Sequence, residues 1–175
     1  MTTLPALKLE LRAVHYSPAL SRETNAFAAD VWIDGKPGFH VRNDGQGGCD
    51  FHEPVKGQSY AEMNAQLAAV GTYANTLPAR RYGPADHQVV LEENVDSLVA
   101  GLLSDWILTK DVKRKLAKKM TVTMKGKPGI FSFRVPYDPA VVPSLRAKYP
   151  EIDKILNELP FEEALAIWKA DAKNS

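Results

Sequence analysis

The sequence predicts an α+β fold, an N-terminal antiparallel β-meander packed against helices, with a second short β-hairpin and two C-terminal helices. Two observations carry this. Residues 7–13 and 27–41 repeat with the period of two expected of half-buried strands, and beyond residue 59 segments with apolar spacing of three and four appear. A third is the composition: 45% hydrophobic residues among 175 supply a core, and 22 basic residues against 21 acidic ones lack the net charge that keeps chains disordered.

Leu7, Leu9, Leu11 and Ala13 alternate with Lys8, Glu10 and Arg12, which predicts a first strand with one buried face. After a turn-rich stretch, Phe27, Ala29, Val31 and Ile33 share a face, and Asp34-Gly35 offers a two-residue hairpin turn into a return strand carrying Phe39 and Val41. A fourth strand is expected around Cys49–His52. Ser59 and Glu62 then form a capping box ahead of Met63, Leu67, Val70 and Ala74. A polar link at 79–88 leads to a helix stepping through Leu91, Val95, Leu98, Leu102 and Trp106, followed by a separate short helix capped by Thr109 or Asp111, with Val112, Leu116 and Met120 inward. Met120–Met124 and Ile130–Val135 flank a KGKPG turn as a second hairpin. Asp138-Pro139 opens a helix with Val142 and Leu145 on its inner side, and the last helix starts near Pro160, burying Phe161, Leu165 and Trp168 before a fraying tail. Trp32, Trp106 and Trp168 all lie in apolar patterns and read as core anchors.

No repeat or Gly/Ser linker marks a boundary, so residues 1–175 read as one domain, with 79–88 the one candidate border. The lone Cys49 excludes an internal disulfide, no run reaches the roughly 18 apolar residues of a membrane span, and the first residues lack a signal peptide's apolar stretch, so the expectation is a cytoplasmic protein without membrane association.

Three features could carry chemistry. Asn43, Asp44, Gly45, Gly47 and Gly48 form a glycine-rich turn, readable as an anion-binding nest or as a bulged hairpin whose positive φ angles require glycine. Neither the Walker A pattern nor the dinucleotide fingerprint matches it. Lys110–Lys127 holds eight basic residues and one acidic, leaving a net −6 elsewhere. Lys113, Arg114, Lys115, Lys118, Lys119, Lys125 and Lys127, extended by Thr121 and Thr123, thus suit a phosphate backbone or an acidic protein surface. The bland alternative is a solvated helix face. Finally, His40, Cys49 and His52 could converge on one edge of the meander as ligands of a metal or as a nucleophile and its base, although one cysteine without a paired motif is a poor zinc signature. Asp44, Asp50 and Glu53 surround Cys49 with charge that disfavours a thiolate. Glu92-Glu93 and Glu162-Glu163 read as first-turn helix charges.

The stretches NAFAADVWIDGKPGFHVRNDGQGGCDFHEP, LVAGLLSDWILTKDVKRKLAKK and ILNELPFEEALAIW resemble a group of uncharacterised small bacterial and phage proteins; the resemblance spans most of the chain and implies a compact protein of mobile-element gene sets, without catalytic residues to transfer. Residues 25–70 also resemble, in layout, the nucleic-acid-binding Trp-Gly-Arg domains, where a strand runs into a glycine-rich turn and then a helix. Asn43-Asp44-Gly45 stands where the defining triple belongs, so that family's phosphate contacts do not transfer. The sequence therefore predicts a non-enzymatic interaction protein that needs no cofactor and binds nucleic acid or an acidic protein through its basic helix and hairpin. The alternative is a small enzyme or a ligand- or metal-binding protein with its site between the glycine-rich turn and His40, Cys49 and His52.

Overall fold

The computed structural model describes residues 6–82 and 87–174, which divide into two compact units, 1–105 and 106–175. Part of the polar link, 83–86, lies outside the described residues, as does Ser175 of the tail.

The first unit is built on a four-stranded antiparallel meander in chain order: β1 (Leu9–Tyr16), β2 (Ala26–Ile33), β3 (Lys36–Asp44) and β4 (Phe51–Pro54). Asp34 and Gly35 both take positive φ, 49° and 79°, which gives the tight β2–β3 turn the backbone that Asp-Gly favours. Phe27, Ala29, Val31, Phe39 and Val41 form the buried face, as their alternation predicts. In β1 the alternation stops early. The register slips between Arg12 and His15, Ala13 adopts a φ of 48°, and its side chain is exposed rather than buried, because a bulge moves the following residues off the regular pleat. Helix α1 (Tyr60–Ala74) starts at the Ser59 capping box, with both reciprocal hydrogen bonds made, and packs on β3 and β4 through its buried Met63, Val70 and Ala74.

Two short strands, β5 (Arg80–Tyr82) and β6 (Val89–Leu91), pair where the sequence suggested only a polar link. Leu91 therefore belongs to a strand and not to the helix that follows. That helix, α2 (Val95–Lys118), runs unbroken for 24 residues, so the two helices expected from Leu91 and from Asp111 are one. Nothing between Asp105 and Asp111 is a glycine or proline, so no residue breaks the helix there, and at about 100° per residue the buried side changes along it, from Val99 and Leu103 to the opposite side with Val112 and Leu116. Its start is set by Asn94: Ser97 N–H donates to Asn94 Oδ1 and Asn94 N–H to Ser97 Oγ, each at 2.8 Å, a reciprocal cap.

The second unit contains a three-stranded antiparallel sheet of order β8-β7-β9, from β7 (Met120–Met124), β8 (Lys127–Phe133) and β9 (Ile152–Ile155), together with α3 (Val142–Lys148) and α4 (Phe161–Asn174). β9 was not foreseen; it is four residues long and only Ile152 and Ile155 face inward, so it carries no alternation to read. Met120, Val122, Ile152 and Ile155 form the buried cluster, with Phe131, Phe133 and Tyr149 packed around it. Asn157 joins the parts: its Nδ2 donates to the carbonyls of Leu116 and Lys119 at the end of α2, at 2.8 and 3.0 Å, while its Oδ1 accepts from Thr121 N–H at 2.8 Å. One side chain thus satisfies carbonyls that a helix terminus leaves open and fixes the entry into β7. The three tryptophans are half-buried, not core. Each carries a cation over its ring: Arg12 on Trp32 at 3.7 Å, Lys110 on Trp106 at 5.3 Å and Lys115 on Trp168 at 4.3 Å. No helix among the described residues is long and apolar enough to cross a membrane.

Candidate functional site

The basic segment falls within the second unit, where fourteen basic residues stand against eight acidic; the first unit has eight against thirteen. Charge therefore divides along the same border as the structure. On α2, Lys110, Lys113, Arg114 and Lys118 are exposed, and Lys119 is exposed just beyond the helix end. Lys110, Arg114 and Lys118 repeat at intervals of four, about 6 Å per step along the axis. Arg114 also forms a surface pair with Asp111 at 2.9 Å, a kind of pair worth little in water.

The predicted residues differ in what else they touch. Lys113 and Lys115 lean along the flanks of the helix, 4.9 Å from the Phe161 ring and 4.3 Å from that of Trp168, where their stems cover apolar surface. Lys125 and Lys127 are exposed at the β7–β8 turn, roughly 17 Å of strand away from the helix end. Thr121 cannot extend the face as expected. It is fully buried, its N–H taken by Asn157, because β7 is the central strand of its sheet.

In the first unit the glycine-rich turn is organised by Asn43, which is only 6% exposed. Its Oδ1 accepts from Thr24 Oγ1 at 2.7 Å and from Gly45 N–H at 2.9 Å; its Nδ2 donates to Asp50 Oδ1 at 2.9 Å and to the Gly48 carbonyl at 3.4 Å. Gly45, Gly47 and Gly48 have φ of 79°, 90° and 88°. At Gly45 a Cβ would also lie 2.4 Å from the Leu20 carbonyl oxygen, so both backbone conformation and space require glycine there. Asp44 points outward and pairs with Arg42 at 3.0 Å. The turn is thus a filled structural element on one side. Its other side, with Asn43 and Gly48, lines a cleft of about 400 Å³.

His40, Cys49 and His52 do not converge. His40 pairs across the ladder with Glu53, and Val41 with His52, so the two histidines project from opposite faces of the sheet. His40 Nδ1 lies 2.8 Å from Asp30 Oδ1, and Cys49 is exposed. His52 stacks edge-on against Phe39; its buried Nε2 is 3.4 Å from Asp96 Oδ1, within ion-pair distance but without hydrogen-bond geometry. No group of three or more metal-ligating side chains occurs among the described residues.

The cleft brings in Asn94, Asp96 and Ser97, which sequence reasoning did not single out, together with Asp50, read there only as a charge beside Cys49. The Asp50 N–H donates to Asp96 Oδ2 at 3.3 Å. Burial raises the Asp50 carboxyl above the ordinary aspartate range and the nearby Asp96 charge adds to this, while the Asn43 hydrogen bond opposes it. Below the cleft Glu93 is buried and not a first-turn surface charge; it accepts from Ser97 Oγ at 2.6 Å and from the Arg80 guanidinium. The Ser97 hydroxyl, then Arg80, hold its carboxyl below the usual glutamate range against the opposing effect of burial. The readable signal was Asn94-x-x-Ser97, a cap that places Asp96 in the first turn of α2.

Comparisons with family models, with curated proteins and with solved structures gave no match.

Proposed function

We propose that the chain is a non-enzymatic binding protein that engages nucleic acid through the phosphate backbone, using the solvent face of the C-terminal half of α2. The observation that carries the reading is the exposed series Lys110, Arg114 and Lys118, continued by Lys119, in a unit with an excess of six basic residues. Cations in a row on a rigid helix need little ordering to meet a row of phosphates, and each contact releases a condensed counterion. The Trp168 ring, which could stack on a base, is already covered by Lys115, so backbone recognition suits this face better than reading of sequence.

Four phosphate contacts correspond to a slope of about −3.6 in log K against log salt for duplex DNA, a loss of roughly a hundredfold between 50 and 200 mM. The test is a salt series with single- and double-stranded DNA and RNA on the parent and on a variant with Lys110, Arg114, Lys118 and Lys119 all changed to Glu. Salt-sensitive retention that the variant loses supports the reading, with Lys36→Glu and Lys56→Glu in the first unit as unaffected controls. Absence of retention of every polynucleotide at low salt overturns it, and retention of an acidic protein in its place would reassign the face to that partner.

A further inference from the structure

We propose that the cleft between the glycine-rich turn and the first turns of α2 is a binding site for a small organic cation, an amine or guanidinium carrying a compact apolar group. The site lies wholly within the first unit and is independent of the basic face.

Three features of the cleft lead there. Its volume of about 400 Å³ lies in the range of small-molecule sites. Its polar rim is rich in acceptors: the carboxylates of Asp50 and Asp96, joined through the Asp50 N–H, with Thr24 and Asn94 nearby. Its floor is apolar, formed by Phe27, Ala100 and Leu103. Among the described residues no lysine or arginine lines it, and the unit as a whole has thirteen acidic residues against eight basic. An anion entering the cleft would meet two carboxylates, and the His52 imidazole beside them already faces Asp96 at 3.4 Å, so the cleft suits the phosphate that the glycine-rich turn first suggested poorly. The turn's own geometry agrees: the Gly45 N–H is spent on Asn43 Oδ1, and the Gly47 N–H points to Thr24 Oγ1 at 3.3 Å.

An ammonium in the rim would donate to both carboxylates and relieve their repulsion, and its apolar group would displace water from the floor. Asp50, partly desolvated and beside Asp96, stands to gain most from such a counter-charge.

The test is an NMR amide titration of the full chain with benzylamine, and with benzyl alcohol as its uncharged counterpart. Saturable shifts at Gly48, Asp50 and Ser97 with benzylamine, and none with benzyl alcohol at the same millimolar concentration, are expected. Asp96→Asn should weaken benzylamine by roughly tenfold or more, the scale of a lost charged hydrogen bond. Ala100→Phe, which fills the floor and leaves both carboxylates, should abolish the shifts while the spectrum stays folded. No saturable shift, equal shifts with the alcohol, or unchanged titration in Ala100→Phe would overturn the proposal. The charge-reversed α2 variant should titrate like the parent, so failure here and failure of polynucleotide binding are read separately.

Discussion

Asn43→Ala removes the side chain that organises the glycine-rich turn, and its cost can be worked from the partners left behind. Four hydrogen bonds disappear: those from Thr24 Oγ1 and Gly45 N–H, and those to Asp50 and the Gly48 carbonyl. Asp50 borders the cleft and can recover water, the Gly48 bond is long at 3.4 Å, and the Thr24 hydroxyl can rotate toward another acceptor. The Gly45 N–H cannot, because Gly45 is buried and its backbone is fixed. One stranded buried donor costs about 1–3 kcal/mol, and the net loss of the better remaining bonds adds about 1 kcal/mol, so a destabilisation of about 2–4 kcal/mol is expected. Asn43→Asp keeps the acceptor for Gly45 and Thr24 but sets a second carboxylate against Asp50, and should also destabilise. Urea unfolding gives the free energy, and the exchange rate of the Gly45 amide localises it, because this proton should lose protection in Asn43→Ala and keep part of it in Asn43→Asp. An Asn43→Ala protein within about 0.5 kcal/mol of the parent, the range of an ordinary surface change, would refute the assignment of Asn43 as the organiser of the turn.

Gly45→Ala combines a positive φ with a backbone clash against Leu20; it should cost more than the roughly 1–2 kcal/mol of a left-handed alanine alone, read by thermal melting. Asp50→Asn tests the half-buried carboxyl at the cleft. A raised folded-state value means that the folded protein holds the proton more tightly, so stability is lost as pH rises from the ordinary 3.8 through the raised value. The asparagine variant should therefore melt above the parent at neutral pH, and the difference should vanish below the ordinary aspartate range. Glu93 has the opposite sign: its lowered value gives stability above the ordinary 4.5 that is lost as pH falls through the folded value, and Glu93→Gln should flatten that acid limb of a stability profile. Asn157→Ala opens two carbonyls at the end of α2 and the Thr121 N–H together, for an expected loss of about 1–3 kcal/mol by urea unfolding.

The strands of the meander and helix α1 were legible because each rests on local physics. Asp34-Gly35 can supply two positive φ angles, Ser59 and Glu62 cap each other, and the alternation of β2 and β3 is imposed by one buried face. The errors lie where tertiary context decides. Thr109 and Asp111 are good caps, but a cap residue starts a helix only where something stops the one before it, and no glycine or proline stands between Asp105 and Asp111 to stop α2. β5, β6 and β9 are three or four residues long, too short for a period to register, and exist through their partners. The tryptophans were placed too deep because an apolar pattern does not show that a lysine or arginine four residues away, on the next strand or on another helix, will lie over the ring.

The candidate sites were legible as composition and much less as geometry. A run of lysines is visible in any sequence, whereas the seating of Lys113 over Phe161 and of Lys115 over Trp168 depends on where those rings arrive from about fifty residues further on. The glycine-rich turn was noticed for its glycines, yet its chemistry resides in Asn43, which locks it, and in Asp50 and Asp96, which set the sign of the charge beside it. Glycine-rich loops suggest anions because their N–H groups are free to point at a ligand. Here the Asn43 and Thr24 side chains take the Gly45 and Gly47 donors, and the acidic neighbours Asp50 and Asp96 set the charge beside the turn.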